Sequence, residues 1–241
     1  MTAPAAAPAA TALVDDLRAA LHPSRVRTGP SELSLYRKDA SNMEGAAGVV
    51  CLPENTAEVQ ACVQIANRHG VAFVPRGSGT GLAGGAVPLG GEVVISLTRM
   101  NRVLSVDAVN RRTWVQPGVL NLDLSRQVEH LGLHFAPDPS SQQTCSIGGN
   151  IANNSGGPHC LAEGVTASHV HAVEVVLPDG TLTVLGGEDP EPDGYDLRGA
   201  FVGSEGMLGV ATAVCVKLTQ NPPAVRTMTT VATPASTASS R

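Results

Sequence analysis

The first of three clusters of glycine and small polar residues has the composition of an anion-binding loop. It spans residues 77–91 and is preceded by an arginine. The stretch that carries the chemistry consists of Arg76, Gly77, Ser78, Gly79, Thr80 and Gly81. Consecutive small residues let several backbone N–H groups point into one concavity, which suits a phosphate or pyrophosphate. The guanidinium can add charge and the two hydroxyls can add donors. We therefore predict anion binding here, in preference to a mobile surface loop.

Two common nucleotide-binding fingerprints do not fit this loop. Residues 79–84 match GxGxxG, but that fingerprint requires a helix opening at the glycines and an acidic residue after the next strand. Residues 85–91, GAVPLGG, cannot sustain a helix, and the next predicted strand is followed by Thr98 and Arg99. A Walker A loop is excluded because no Gly-Lys-Ser/Thr follows.

The second cluster, residues 137–157, pairs a rigid Pro-Asp-Pro turn with a predicted helix start at Gly148. A helix N-terminus without side chains would offer free N–H groups to an anion, and the dipole adds about 0.3–1 kcal/mol per charge. Two anion-binding elements in one chain indicate a ligand with two phosphates, such as a dinucleotide.

Other reactive residues give weaker signals. The third cluster, residues 203–209, leads into the last predicted strand, and no GxSxG elbow supports a hydrolase. His169 and His171 would share one face of a strand, but no third ligand is near in sequence, so we predict no metal site. His159, beside Cys160, is the one candidate for a catalytic imidazole, although a lone histidine is more often structural.

Composition excludes several classes of partner. The 241 residues are 42% apolar and 15% charged, which is typical of a globular protein. A net charge of −5 argues against nucleic acid or anionic lipid, and aromatic residues, at 2%, leave few platforms for base stacking. No apolar stretch approaches the ~18 residues of a membrane helix.

Cysteine usage and the N-terminus bear on the compartment. The five cysteines are an odd number without a CxxC pair, which argues against a disulfide scaffold or a zinc site. The first twelve residues lack the basic and leucine-rich regions of a secretory signal. We therefore predict a disordered leader and a cytoplasmic protein.

Hydrophobic periodicity predicts an α+β chain of two lobes. The predicted helices are residues 11–21, a helix capped by Asn55 and closed by Gly70, and residues 122–131. The predicted strands are residues 49–52, 71–74, 93–97, 103–106, 113–116, 172–177, 181–185 and 210–218. We divide the chain into a leader with the first helix (1–22), two subdomains (23–105 and 106–220) and a low-complexity tail (221–241).

Four motifs in order resemble the FAD-binding domain of the vanillyl-alcohol oxidase/p-cresol methylhydroxylase superfamily. They are PRGSGTGLAGG at 75–85, PDPSS at 137–141, CSIGGN at 145–150 and GSEGMLGV at 203–210. Within it, the branch of the FAD-linked glycolate oxidase subunit and the FAD-dependent D-lactate dehydrogenases is most similar. The resemblance implies a fold of two α+β subdomains, the PCMH-type fold, with FAD extended between them.

The resemblance also assigns cofactor contacts. The loop from Arg76 to Gly81 would hold the pyrophosphate, in agreement with the anion-binding prediction. The residues implied along the flavin and ribityl chain are Pro137, Asp138, Ser141, Ser146, Gly148, Gly149, Asn150, Asn153 and Gly156. Those implied on the adenosine side are Glu205, Gly209 and Val210. Because residues 76–85 contain no histidine for a covalent link, we expect noncovalent FAD.

The resemblance further implies a dehydrogenase or oxidase component that takes a hydride from a small 2-hydroxy acid, with partner subunits or a separate electron acceptor. Relatives carry metal-binding histidines and the proton acceptor in a C-terminal cap domain, which we expect to be missing from this chain. Residues 225–231 resemble its first strand. Glu163 stands where relatives commonly have tyrosine. Two alternatives stay open: a non-catalytic flavin-binding or scaffold subunit of a multi-subunit oxidase, and an NADPH-reduced flavin reductase of the cell-wall-precursor type.

Overall fold

The computed structural model describes residues 11–187 and 194–224. Residues 1–10 of the predicted leader, residues 188–193, and residues 225–241 of the predicted tail, with the predicted first strand of a cap, lie outside the described residues. Residues 11 and 12, the last two of the predicted leader, belong to the first helix. The helices are α1 (Thr11–Ala20), α2 (Pro30–Ser34), α3 (Thr56–Arg68), α4 (Asn121–Val128), α5 (Ile147–Asn153), α6 (Cys160–Glu163) and α7 (Leu197–Phe201). The strands are β1 (Val26–Arg27), β2 (Val49–Cys51), β3 (Phe73–Arg76), β4 (Val93–Ser96), β5 (Val103–Asp107), β6 (Arg112–Val115), β7 (Leu133–His134), β8 (Val170–Val176), β9 (Leu182–Gly186), β10 (Val210–Lys217) and β11 (Thr219–Gln220).

The first lobe is a four-stranded sheet in the order β1-β2-β4-β3, in which β4 is parallel to both neighbours. Its main helix, α3, begins as the sequence predicts, because Asn55 Oδ1 accepts a hydrogen bond from the Glu58 N–H at 3.0 Å. The helix ends in a Schellman motif, with Gly70 at φ +65° and Val71 N donating to Ala66 O. The chain is therefore still turning at Val71, and β3 starts two residues later than predicted.

The second lobe is an antiparallel five-stranded sheet in the order β5-β6-β10-β8-β9. The predicted hairpin is confirmed as β8 and β9, with Gly180 at φ +88° in its turn. The predicted division between residues 105 and 106 falls inside β5, which pairs with β6 of this sheet. The change of sheet comes instead between Ser96 and Val103. β7 and β11 form a separate two-stranded pair.

The hydrophobic core of the first lobe extends into the second. α1, which the sequence analysis set apart with the leader, packs Leu13 and Leu17 into this core against α3. Val176 and Val210 of the second sheet belong to the same buried cluster. Glu174 on β8 adds a polar link, because its Oε1 accepts hydrogen bonds from the hydroxyls of Thr56 at 2.8 Å and Thr212 at 2.7 Å.

Two side chains of α3 also contact the hairpin turn of the second lobe. Gln60 Nε2 donates to Gly180 O at 3.0 Å, and Asn67 Nδ2 donates to Pro178 O at 2.7 Å. The lobes are thus joined by packing as well as by the chain. Among the helices of residues 11–187 and 194–224, none has the length and apolar character needed to cross a membrane.

Candidate functional site

One cleft of about 630 Å³ brings the three glycine clusters together. Its volume lies in the range typical of small-molecule and cofactor sites. All but three of the predicted cofactor residues line it. Those on the lining are Arg76, Gly77, Ser78, Gly79, Thr80, Gly81, Ser141, Ser146, Gly148, Gly149, Asn150, Asn153, Gly156, Glu205 and Gly209.

The three exceptions, Pro137, Asp138 and Val210, are not part of the lining. Val210 is fully buried at the start of β10, because its side chain belongs to the first core. The carbonyl of Pro137 accepts a hydrogen bond from the buried Asn121 side chain, and Asp138 Oδ2 pairs with His159 Nδ1 at 2.5 Å. Pro137 and Asp138 thus hold neighbouring segments together.

The histidines do not form a site with the cleft. His159 is 74% exposed and does not line it. His169 ends a 3₁₀ turn, Thr166–His169, so the prediction that it shares a strand face with His171 is wrong. Its Nε2 donates to Glu163 O at 2.8 Å, and burial lowers its pKa. His169 is therefore a neutral core residue.

Several lining residues were missed by the sequence analysis. Ser140, Cys145 and Gly206 lie within or beside the quoted motifs, so their positions could have been included. Phe201, at the end of α7, and Asp39, between α2 and β2, carry no local signal. Their place on the cleft depends on tertiary packing.

The first cluster lines the cleft with backbone amides that have no protein acceptor among the described residues. β3 ends at Arg76, and the chain then turns back through Gly79, whose φ of +72° favours glycine. Among the described residues, no protein acceptor takes the backbone N–H groups of residues 78–81, all of which line the cleft. Backbone N–H groups without a protein acceptor are the donors that a bound pyrophosphate would use.

The side chain of Arg76 packs against this loop and is held in place by backbone carbonyls. The residue is 8% exposed; Nη1 donates to Ala86 O at 2.9 Å and Nη2 to Lys38 O at 2.8 Å. The guanidinium also lies over the Tyr36 ring, 5.6 Å from its centroid. A Cβ on Gly79 would approach Nη2 to 2.3 Å, so the glycine loop wraps closely around the cation. Arg76 contributes positive charge beneath the cradle, with two of its nitrogens already bonded to carbonyls.

Two buried polar atoms on the cleft lining have no partner among the described residues: Asp39 Oδ2 and Ser204 Oγ. Burial lowers the pKa of Arg76, and the nearby Asp39 carboxylate opposes that shift. Unsatisfied buried polar atoms are costly, and hydroxyl groups of a bound ligand would satisfy both. This pair and the free N–H groups of the loop fit a ligand with phosphates and sugar hydroxyls, as FAD has.

The prediction that α5 offers free N–H groups to an anion is wrong. The first three amides of the helix are bonded to nearby protein atoms. The bonds are Ile147 N to Val119 O at 2.8 Å, Gly148 N to Pro117 O at 2.8 Å, and Gly149 N to Ser146 Oγ at 3.3 Å. Gly148 is required by packing, because a Cβ there would lie 2.7 Å from Pro117 Cβ. The residues of α5 with polar side chains on the cleft lining are Asn150 and Asn153.

The third cluster connects α5 to the first loop. Gly203 N donates to Ile151 O and Glu205 N donates to Ala152 O, both at 2.8 Å, which fixes this turn on the helix. The Glu205 side chain reaches Gly85, where a Cβ would lie 2.6 Å from its Oε2. The clusters are therefore in mutual contact around one cleft.

Comparisons with known proteins agree with this geometry. The family model described as FAD binding domain matches residues 47–186. The glycolate oxidase subunit GlcD of Escherichia coli strain K12 is 46% identical over 180 residues, which cover 75% of this chain and 36% of that protein. A D-lactate dehydrogenase of Anaerostipes hadrus is 38% identical over 206 residues, 84% of this chain and 43% of that protein. The chain spans less than half the length of these relatives.

Among solved structures, an alkyldihydroxyacetonephosphate synthase superposes with a TM-score of 0.81 at 24% identity, covering 91% of this chain and 42% of that chain. This likeness confirms the α+β fold of two lobes. The two-lobed fold, the cleft and the family match lead to one conclusion: the chain belongs to the FAD binding domain family.

Proposed function

We propose that this chain binds FAD in the cleft and forms the flavin-binding part of an oxidoreductase that acts on small 2-hydroxy acids. The observation that carries the proposal is the free-amide loop at residues 78–81, set in one cleft with the unpartnered Asp39 and Ser204 atoms. The substrate class is supported by the names of two relatives, since glycolate and D-lactate are both 2-hydroxy acids.

The chain's own residues would bind and orient the cofactor. The N–H groups of residues 78–81 would hold the pyrophosphate, with the charge of Arg76 behind them. Asp39 Oδ2 would accept from a ligand hydroxyl, and Ser204 Oγ would exchange a hydrogen bond with another. Leu97, Ile151 and Phe201 give the lining apolar surface that excludes water. FAD, when bound, supplies the group that accepts hydride from the substrate carbon.

We expect noncovalent attachment, so acid precipitation of the purified yellow protein should release all of its flavin into the supernatant. The cradle loop contains no histidine, and neither His159 nor Cys160 lines the cleft. The measurement is flavin fluorescence of supernatant and pellet, together with flavin stoichiometry before precipitation. Fluorescence that stays in the pellet would contradict noncovalent binding. A colourless protein that takes up no added FAD would contradict the proposed function itself.

The polypeptide of residues 1–241, loaded with FAD, should not be bleached anaerobically by glycolate or D-lactate. Oxidation needs a substrate held against the flavin and a base for its hydroxyl proton, and each contribution is worth several kcal/mol of barrier. Within the described residues, no histidine lines the cleft and no cluster of His, Cys, Asp and Glu could hold a metal ion. Dithionite serves as the control, because it should bleach the same sample. Rapid bleaching by substrate alone would contradict the prediction.

We further propose that the protein works in the cytoplasm together with other subunits or a separate electron acceptor. The E. coli relative is named as a subunit, which supports an assembly. The five cysteines are free thiols, and Cys62 lies beside Cys51. Disulfides are rare in cytoplasmic proteins. The hydrogen bond that the Cys62 S–H donates to Cys51, together with burial, raises the pKa of the Cys62 thiol, which keeps it unreactive.

A further inference from the structure

Asn121 connects the two segments that the resemblance places along the flavin. It is the first residue of α4 and is 1% exposed. Its Nδ2 donates to Pro137 O at 2.8 Å and to Asn150 Oδ1 at 3.0 Å. One buried amide thus ties the Pro-Asp-Pro segment to α5, although Asn121 itself does not line the cleft.

The direction of these bonds is fixed by chemistry. A proline carbonyl can only accept, so the Asn121 atom that faces Pro137 O must be the amide nitrogen. The atom of Asn150 that faces the same nitrogen must then be its oxygen, because two NH₂ groups would repel each other at 3.0 Å. The orientation of the Asn150 side chain therefore follows from a backbone carbonyl that has no second option.

This orientation directs the donor side of Asn150 away from Asn121. Its Nδ2 donates one N–H to Cys145 Sγ at 3.4 Å, and sulfur is a weak acceptor. Asn150 is 1% exposed but belongs to the lining of the cleft, and the second N–H of its amide has no acceptor among the described residues. Asn121 Oδ1 is buried and has no partner among the described residues. Asn121 therefore leaves its own carbonyl unsatisfied while its amide nitrogen satisfies two acceptors. An unsatisfied buried carbonyl is destabilising, so local stability alone does not explain an asparagine at this position.

We propose that Asn121 is a positioning residue that presents Asn150 as a hydrogen-bond donor to an acceptor atom on the isoalloxazine or ribityl part of the cofactor. This inference rests on the proposed function, because it requires FAD in the cleft. It assigns Asn150 a hydrogen-bond polarity and assigns Asn121 the task of maintaining it. A ligand that offers a donor at this position would be disfavoured.

The sharpest test reverses the polarity of Asn150 alone. Asn150→Asp keeps an oxygen for the bond from Asn121 and replaces the donor with a carboxylate oxygen. We expect the Kd of FAD to rise at least about thirtyfold. The Kd of ADP, which lacks the flavin and ribityl groups, should change less than about twofold. Titrations of the apoprotein with FAD and with ADP provide both values.

A second variant removes the positioning contact. Asn121→Leu has nearly the same shape but no donor, and we expect a roughly tenfold increase in the Kd of FAD with a shifted visible spectrum of bound flavin. Asn67→Leu is the matched control, because Asn67 Nδ2 donates to Pro178 O at 2.7 Å and neither residue lines the cleft. It should leave the Kd and the spectrum of bound flavin unchanged.

Several outcomes would overturn the inference. An unchanged Kd and spectrum in Asn150→Asp, or equal loss of FAD and ADP affinity with no spectral change, would each do so. If Asn121→Leu does not fold, Asn150→Asp decides alone. Failure of the wild-type chain to bind FAD would overturn the proposed function, whereas wild-type binding with unaffected variants would overturn only the role of Asn121 and Asn150.

Discussion

Gly81→Val should raise the Kd of FAD at least about a hundredfold while the fold is retained. Gly81 has no positive φ, in contrast to Gly79, so strain plays no part. A Cβ at position 81 would lie 3.6 Å from the Asn153 side chain and 4.0 Å from Asp39 Oδ2, which are ordinary contacts. All three residues line the cleft, so the valine would fill the space needed for the pyrophosphate. Titration of the apoprotein with FAD measures the loss.

Gly90→Val is the matched control for this prediction. Gly90 lies in the same glycine cluster but outside the lining of the cleft, and a Cβ there would meet nothing within 4 Å. Its FAD affinity and far-UV circular dichroism should equal those of the wild type. If Gly81→Val instead purified with a full complement of FAD, the residues 78–81 would not be the pyrophosphate cradle.

Gly118→Ala should lower the free energy of unfolding by about 3 kcal/mol or more. A Cβ on Gly118 would lie 2.3 Å from Leu97 O and 2.8 Å from Met100 O, two backbone atoms that cannot rotate away. Gly118 N also donates to Met100 O at 2.7 Å. This bond holds Gly118, which follows β6, close to the segment between β4 and β5. For a chain of this size the melting temperature should fall by roughly 6–12 °C.

Urea denaturation of the apoprotein gives this free energy directly, and Gly90→Ala is the control. The Cβ of this variant would enter open space at an ordinary φ, so its free energy of unfolding should stay within about 0.5 kcal/mol of the wild-type value. An unchanged midpoint in Gly118→Ala would show that the segment from Leu97 to Met100 moves away easily.

Features with local causes could be predicted from the sequence. The cap at Asn55, the stop at Gly70 and the Asp-Gly hairpin turn each depend on residues within a few positions of one another. The glycine loop after β3 could also be recognised, because its small residues are consecutive in the sequence. In the structure, the N–H groups of residues 78–81 have no acceptor among the described residues.

Features that depend on distant partners could not be predicted. The Pro117 carbonyl accepts a hydrogen bond from the Gly148 N–H of α5, which was predicted to be free for an anion. The two residues are 31 positions apart in the sequence. The carbonyl of Lys38 draws the Arg76 guanidinium beneath its loop in the same way. Asp39 has no motif around it, and only the packing of the first lobe brings it to the cleft.

The core shared by the two lobes determines how the cleft meets its ligand. Val176 and Val210 pack with the first lobe, and Glu174 accepts a hydrogen bond from Thr56 across the boundary between the lobes. Moving one lobe relative to the other would therefore expose buried surface. The cleft is consequently preorganised, and little conformational entropy is lost when a ligand enters. Binding energy then goes into affinity, since no hinge has to close.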